Sequence, residues 1–277
     1  VVTDEGYAQS INSNYDLGDL AEAILRGLRA TGKDVDALTP ADLRAVDQFH
    51  IGAHETTLAL LRLAAIKPGA VVLDVGGGPA RTLALEAGCQ VTVLDSTEEF
   101  VRLGTMLTAR TGLSGQVQFK HGDATQMPFP AGSFDVVWTQ HCSMNMPDKA
   151  ALYAEAHRVL RPGGRLAIHE VMAGPVTPLH FPVPWAKDAA ISFVETPAVM
   201  RALIEQSGFR EAAWVDVSEA ATGGWAGAIA SVSAPGGPPP LGLHLFLGPG
   251  TGELFQNLWR NLEEGRVVVV QAVFDKA

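Results

Sequence analysis

From Val71 onward the chain alternates short apolar runs with amphipathic stretches, and this alternation limits the folds open to it. The strand candidates fall at 71–75, 91–95, 117–121, 134–139 and 165–171, with helical patterns between them at 79–87, 98–110 and 148–160. Near-continuous apolar strands separated by helices read as a parallel sheet buried on both faces, because parallel neighbours need a crossover. A helix at 197–206, a strand at 212–217, a helix at 252–264 and a strand at 266–274 follow. The tight Glu264-Gly265 turn predicts that the last strand runs antiparallel to the others.

The flanking segments read differently. Within the first 66 residues, helices are predicted at 19–30, from Thr39-Pro40 onward and at 55–66, each with a start or stop signal. This helical cap, taken as 1–66, precedes a sheet domain at 67–277. Residues 172–195 carry prolines and aromatics and read as a lid insertion. Residues 233–241 (SAPGGPPPL) read as an extended, flexible connector.

Composition excludes several functions. With 20 Lys and Arg against 30 Asp and Glu, the net charge of −10 leaves no basic face for nucleic acid. No apolar run is long enough to span a bilayer. The two cysteines, Cys89 and Cys142, cannot form a disulfide framework or a four-cysteine zinc site, which fits a cytoplasmic setting. His50 and His54 are four apart, but no H-E-x-x-H follows, so no metal site is expected.

Five signals carry chemistry. V-V-L-D-V-G-G-G-P-A at 71–80 runs a strand into a glycine turn, where backbone can approach a ligand. Asp95 ends the second strand, where an acid can hold ribose hydroxyls or instead cap the helix beginning at Glu98. H-G-D-A at 121–124 places an acid and a small residue at a third strand tip, as an adenine reader or a solvated turn. S-F-D-V-V-W-T-Q-H at 133–141 and V-L-R-P-G-G-R-L at 159–166 complete the set. A nicotinamide dehydrogenase would want a third glycine where Arg81 stands.

In this order and spacing the signals resemble class I S-adenosylmethionine-dependent methyltransferases. The small-molecule branch is the most similar, including the ubiquinone/menaquinone-type, sarcosine/dimethylglycine and tocopherol enzymes. Supporting strings are D-Q-F-H-I-G at 47–52, M-P-F-P at 127–130 and M-P-D-K at 146–149. The resemblance implies a Rossmann-like, seven-stranded, mostly parallel sheet with helices on both faces and a last antiparallel strand, topped by the cap and lid. It implies S-adenosyl-L-methionine as cofactor, S-adenosyl-L-homocysteine as product and a small-molecule methyl acceptor, in a monomer or homodimer.

Carried over, Asp74, Gly76 and Gly78 line the methionine part of the cofactor, and Asp95 with Ser96 holds the ribose. Gly122, Asp123 and Ala124 take the adenine. Gln140 and His141 face the sulfonium and the acceptor, and Phe49, His50 and Gly52 close over the cofactor. His141 is the first candidate base; Asn145 is a weaker catalytic candidate, since an amide cannot take a proton. His141, His169, His180, Phe181 and Trp185 are the acceptor-binding candidates, with Tyr7 and Tyr15 able to close the far side. One departure stands out. The branch carries D-x-G-x-G-x-G-G-P-A-R, and here Asp74 reaches Pro79 about three residues sooner. A methyltransferase-like fold used for binding, regulation or another reaction is therefore the competing expectation.

Overall fold

The computed structural model describes residues 20–223 and 237–277. Tyr7, Tyr15 and residues 233–236 of the connector lie outside the described residues.

Seven strands form one sheet in the order β3-β2-β1-β4-β5-β7-β6. They are β1 (Val71–Val75), β2 (Gln90–Asp95), β3 (Val117–His121), β4 (Phe134–Gln140), β5 (Leu160–Ala173), β6 (Phe209–Asp216) and β7 (Val267–Lys276). Strands β1 to β5 are parallel, whereas β7 is antiparallel to both of its neighbours, β5 and β6. The expected architecture is therefore present. The final strand does not close an edge; it is inserted between β5 and β6.

The alternation of apolar side chains explains two cores. Leu73, Val75, Val137 and Ile168 pack beneath helix α6 (Lys149–Val159), with Tyr153 and Ala156. Met200 and Ile204 of α7 (Pro197–Gln206) extend the same core. Val72, Val91, Val136 and Trp138 pack on the other face against α3 (Ala53–Ala64) and α4 (Ala80–Ala87). Side chains along a strand point to opposite faces in turn, so a doubly covered sheet needs both sets apolar.

Several boundaries differ from the expectation; β6, for example, begins at Phe209 rather than 212, where it pairs with Lys276. Strand β5 begins at Leu160 rather than 165, because Phe134 pairs with Leu160 and Val136 with Arg165. The intervening R-P-G-G is absorbed as a bulge, with Gly163 at φ +74°. The helix expected from Pro40 is a 3-10 turn, Pro40–Leu43, followed by a single α-turn, α2 (Arg44–Asp47). Helix α3 starts at Ala53, so His50 precedes it and does not share a helical face with His54.

The cap is not a separate lobe. Leu20, Ile24 and Leu28 of α1 (Leu20–Ala30) share one cluster with Leu103 and Leu107 of α5 (Glu98–Arg110) and with Phe246 of α8 (His244–Leu247). The described end of the connector joins it. A Cβ on Gly27 of α1 would lie 2.3 Å from the Pro240 carbonyl oxygen.

Strand order reverses at β1, whose neighbours β2 and β4 are reached by crossovers in opposite directions. The crevice outside the carboxyl ends of β1 and β4 is where open α/β sheets bind ligands. The chain leaves β1 through Gly76 and Gly77, both in left-handed backbone at φ +83° and +60°. At Gly77 a Cβ would also stand 2.3 Å from Val93 Cγ1. Gly77→Ala is expected to lower unfolding free energy by about 1–3 kcal/mol in urea titration. The open site Gly115, which has nothing within 4 Å of a Cβ, should tolerate alanine within about 0.5 kcal/mol.

Candidate active site

The glycine turn opens onto a cleft of about 580 Å³, part of it open to solvent. Gly76, Gly77, Gly78 and Asp95 line one side, and Phe49, Phe100 and Phe246 form an aromatic wall. Phe246 stacks on Phe49 at 5.7 Å and meets Phe100 edge-on at 6.0 Å. The cap lies directly on the turn: a Cβ on Gly78 would be 3.1 Å from the Asp47 carbonyl oxygen.

A buried ion pair fastens that contact. Arg81 donates Nε and Nη2 to the two carboxylate oxygens of Asp47, at 2.7 and 2.5 Å. Its Nη1 donates to Thr108 Oγ1 at 2.8 Å and to the Gly104 carbonyl at 3.2 Å. The guanidinium fork thus joins α2, α4 and α5 beside the cleft, a job that its planar donors suit. The residue that argues against a dinucleotide glycine motif is here the clasp of the cap.

Behind the turn, Asp74 is fully buried and neither carboxylate oxygen has a hydrogen-bond partner. Burial first, and the nearby Asp95 carboxylate second, push its pKa up to about 8. Burial also raises Asp95 to about 6, although Thr97 N–H donates to its Oδ1 at 2.8 Å. The cap position of the helix at Glu98 is taken by Thr97, so Asp95 braces the residue before that helix and does not cap it.

At the tips of β4 and β5, three imidazoles converge. His141 stacks on His169 with ring centroids 4.9 Å apart and planes at 13°. His50 of the cap meets both edge-on, at 6.1 and 5.7 Å. His169 Nε2 lies 3.0 Å from the Ile51 carbonyl, which can only accept, so this nitrogen carries the proton. Burial is the main cause that lowers all three, to about 3 for His50, about 4 for His169 and well below the ordinary value for His141. Uncharged rings can stack face to face, where two imidazolium ions would repel. Among the described residues no group of three His, Cys, Asp or Glu side chains is placed to hold a metal.

Gln140 joins the cap to the sheet. Its Oε1 accepts from Trp138 Nε1 at 2.8 Å, with Thr57 Oγ1 at 3.2 Å, while its Nε2 has no partner. On the opposite face, the buried Glu170 carboxylate accepts from Thr139 Oγ1 at 2.8 Å and Ser143 Oγ at 2.9 Å. It also accepts from the backbone N–H groups of Cys142 and Ser143, both at 3.2 Å.

Comparison with known proteins agrees with this architecture. Residues 73–168 match the model of a family described as a methyltransferase domain. A sterol 24-C-methyltransferase of Gibberella zeae is 40% identical over 123 residues, covering 43% of this chain and 32% of that protein. The matched stretch is thus about a third of such relatives. Among solved structures, geranyl diphosphate C-methyltransferase of Streptomyces coelicolor superposes with a TM-score of 0.70 at 16% identity, over 98% of both chains. The cyclase SpnF superposes with a TM-score of 0.69 at 20% identity, over 97% of this chain and 96% of that one.

The fold brings some predicted residues together and separates others. Gly76, Gly78 and Asp95 line the cleft. His50, Gln140, His141 and His169 form the polar cluster. Ser96 is exposed, and its carbonyl meets His121 Nε2. Asp123 is exposed, with Oδ1 accepting from Thr125 N and Oγ1. Ala124 is buried in the α6-side core, and Gly122 is pressed against Leu94 and Pro128. Asn145 sits in the 3-10 turn after His141. Trp185 is buried and Phe181 packs beside it, in a cluster that contains Ile51 and Met144. His180 turns to Glu264, just past the end of α9 (Thr251–Glu263), at 2.8 Å.

Sequence reasoning missed Phe246, Phe100 and the Asp47 side chain. Asp47 was within reach, because it opens the D-Q-F-H string; Phe246 has no local signal. Removing one partner of the Arg81–Asp47 pair should be costly, since the other charge stays buried. Arg81→Met is expected to cost roughly 3–5 kcal/mol in denaturation. Adding Asp47→Leu to it should recover part of that loss.

Proposed function

We propose that the chain binds S-adenosyl-L-methionine across the tips of β1 and β4 and transfers its methyl group to a small-molecule acceptor. The observation that carries this reading is the buried Asp74 carboxylate with both oxygens unpartnered behind a glycine turn. Asp95 adds a second carboxylate at the cleft whose ionisation burial opposes. Such a site is short of positive charge, and the cofactor is a cation at its sulfur and its ammonium group. The donor set therefore fits the group.

Asp74 would hold the ammonium, and Gly76 and Gly78 would admit the methionine part. Asp95, with Ser96 beside it, would hold the ribose. The Phe49, Phe100 and Phe246 wall offers the adenine a stacking face. Asp123, with Gly122 and Ala124, is the resemblance-based candidate for the adenine edge. When bound, the cofactor supplies a methyl group already activated on sulfonium sulfur. The chain's own task is then positioning and exclusion of water, with effects of up to roughly 7–11 kcal/mol in the best intramolecular cases. Gln140 and His141 would orient the acceptor, and neutral His141 would take a proton where the acceptor arrives protonated. Trp185 and Phe181 would supply apolar contact near Ile51, with His169 on the polar side. The free thiols of Cys89 and Cys142 favour a reducing, cytoplasmic setting. No helix of the described residues is long and apolar enough to cross a membrane.

A second reading, a methyltransferase fold put to another use, is favoured by the short glycine turn and by the cap backbone resting on Gly78. Calorimetry separates the two: absence of S-adenosyl-L-methionine binding at millimolar concentration overturns the first.

Two outcomes follow from Asp74. A carboxyl with a pKa near 8 is mostly protonated at pH 7, and a bound cation would ionise it. Binding at pH 7 should therefore release close to one proton per site, read from calorimetry in buffers of different ionisation enthalpy. In the free protein the folded state holds this proton between about pH 4 and 8, where the unfolded chain has lost it, so stability falls as pH rises through that window. Asp74→Asn removes this penalty. Its Tm should exceed that of the parent by a margin that widens from pH 5 to 8, while cofactor affinity drops about tenfold or more.

A further inference from the structure

The β4 tip contains a contradiction that Glu170 resolves. His141 has φ +50°, a left-handed backbone that a non-glycine residue adopts at some cost. It nevertheless stacks closely on His169, and its backbone N–H donates to the His169 carbonyl at 2.8 Å. Something must hold the chain in this shape just past His141. The two residues that follow, Cys142 and Ser143, both donate backbone N–H groups to Glu170, and Ser143 adds its hydroxyl. Glu170 is itself locked, being fully buried in β5 and accepting from Thr139 Oγ1 across the β4–β5 pair. Four donors converge on one carboxylate, and they come from both sides of His141 in the sequence.

We propose that Glu170 is the positioning residue of this site, its carboxylate holding the Cys142–Ser143 turn so that His141 stays in left-handed backbone, stacked on His169. The inference rests on the methyl-transfer reading only for its consequence, the placing of His141 beside the reacting centre. The hold itself is a property of the free protein. Its basis is hydrogen-bond geometry rather than charge. A glutamine at 170 can present its oxygen to Cys142 and Ser143 and donate its amide N–H to the Thr139 hydroxyl. A methionine of similar length offers none of these contacts.

The test is the ring-proton NMR spectrum of the full chain, with and without S-adenosyl-L-homocysteine. In the parent, stacking should move the His141 and His169 ring protons upfield. Glu170→Gln should keep these shifts, and Glu170→Met should lose them, while the ring signals of the remote His121 and His157 stay in place. Ser143→Ala removes one donor and should give a partial loss; it serves as the deciding variant if Glu170→Met does not fold. Retention of the stacked shifts in Glu170→Met or, failing that, in Ser143→Ala overturns the proposal. So does their loss in Glu170→Gln to the extent seen in Glu170→Met, since that would assign the role to charge. Failure of the parent to bind S-adenosyl-L-homocysteine would overturn the methyl-transfer reading instead, while the ring shifts of the free protein still decide the role of Glu170.

Discussion

Everything at the site depends on the reversal of strand order at β1. Because β2 and β4 are reached in opposite directions, the connections leaving β1 and β4 diverge and leave a crevice that no crossover covers. The glycine turn, the polar tips of β4 and β5 and the cap are all arranged around that opening. The register sets which side chains meet there: Asp74 lies opposite Trp138, and Gln140 opposite His169. Asp74, Trp138, Gln140 and His169 consequently share one face, beneath cap residues Gln48, His50 and Thr57. Thr139 and Glu170 share the other.

The site is held together by strong buried polar contacts and is itself poorly satisfied. Arg81 with Asp47, and Glu170 with its four donors, are complete arrangements. Asp74, Gln140 Nε2, His141 Nε2 and His169 Nδ1 are not. An unmet buried polar group costs about 1–3 kcal/mol. A chain that concentrates several of them at the crevice, and few in its two apolar cores, has placed its instability where a ligand can relieve it.

Much of the fold was legible in the sequence because each strand carries its own local signature. Val71–Val75 and Phe134–Gln140 are mainly apolar runs, each interrupted by one aspartate, and both appear within a residue of the expected bounds. The boundaries that moved did so for tertiary reasons: Leu160 joins β5 because it pairs with Phe134 across the R-P-G-G bulge. Of the site, motif spacing located Gly76, Gly78, Asp95, Gln140, His141 and His169, since all of them lie at or just past strand ends. It could not show that Asp74 lacks a partner or that Arg81 clasps Asp47. It also missed Phe246, because those facts arise from contacts between distant segments. The pairing of His180 with Glu264, far along the chain, likewise has no local signal.

The position of β7 has a consequence for how the molecule is made. It lies between β5 and β6 yet follows both in the chain. Until it arrives, each of them presents a bare edge of N–H and C=O groups, the template on which unrelated chains pair. Ribosomal synthesis delivers the parallel half of the sheet first and its keystone strand late, and Phe246 of the cleft wall comes only shortly before that strand. The growing chain therefore passes through a stage that is both open-edged and without a finished cleft, when chaperones would have most to protect.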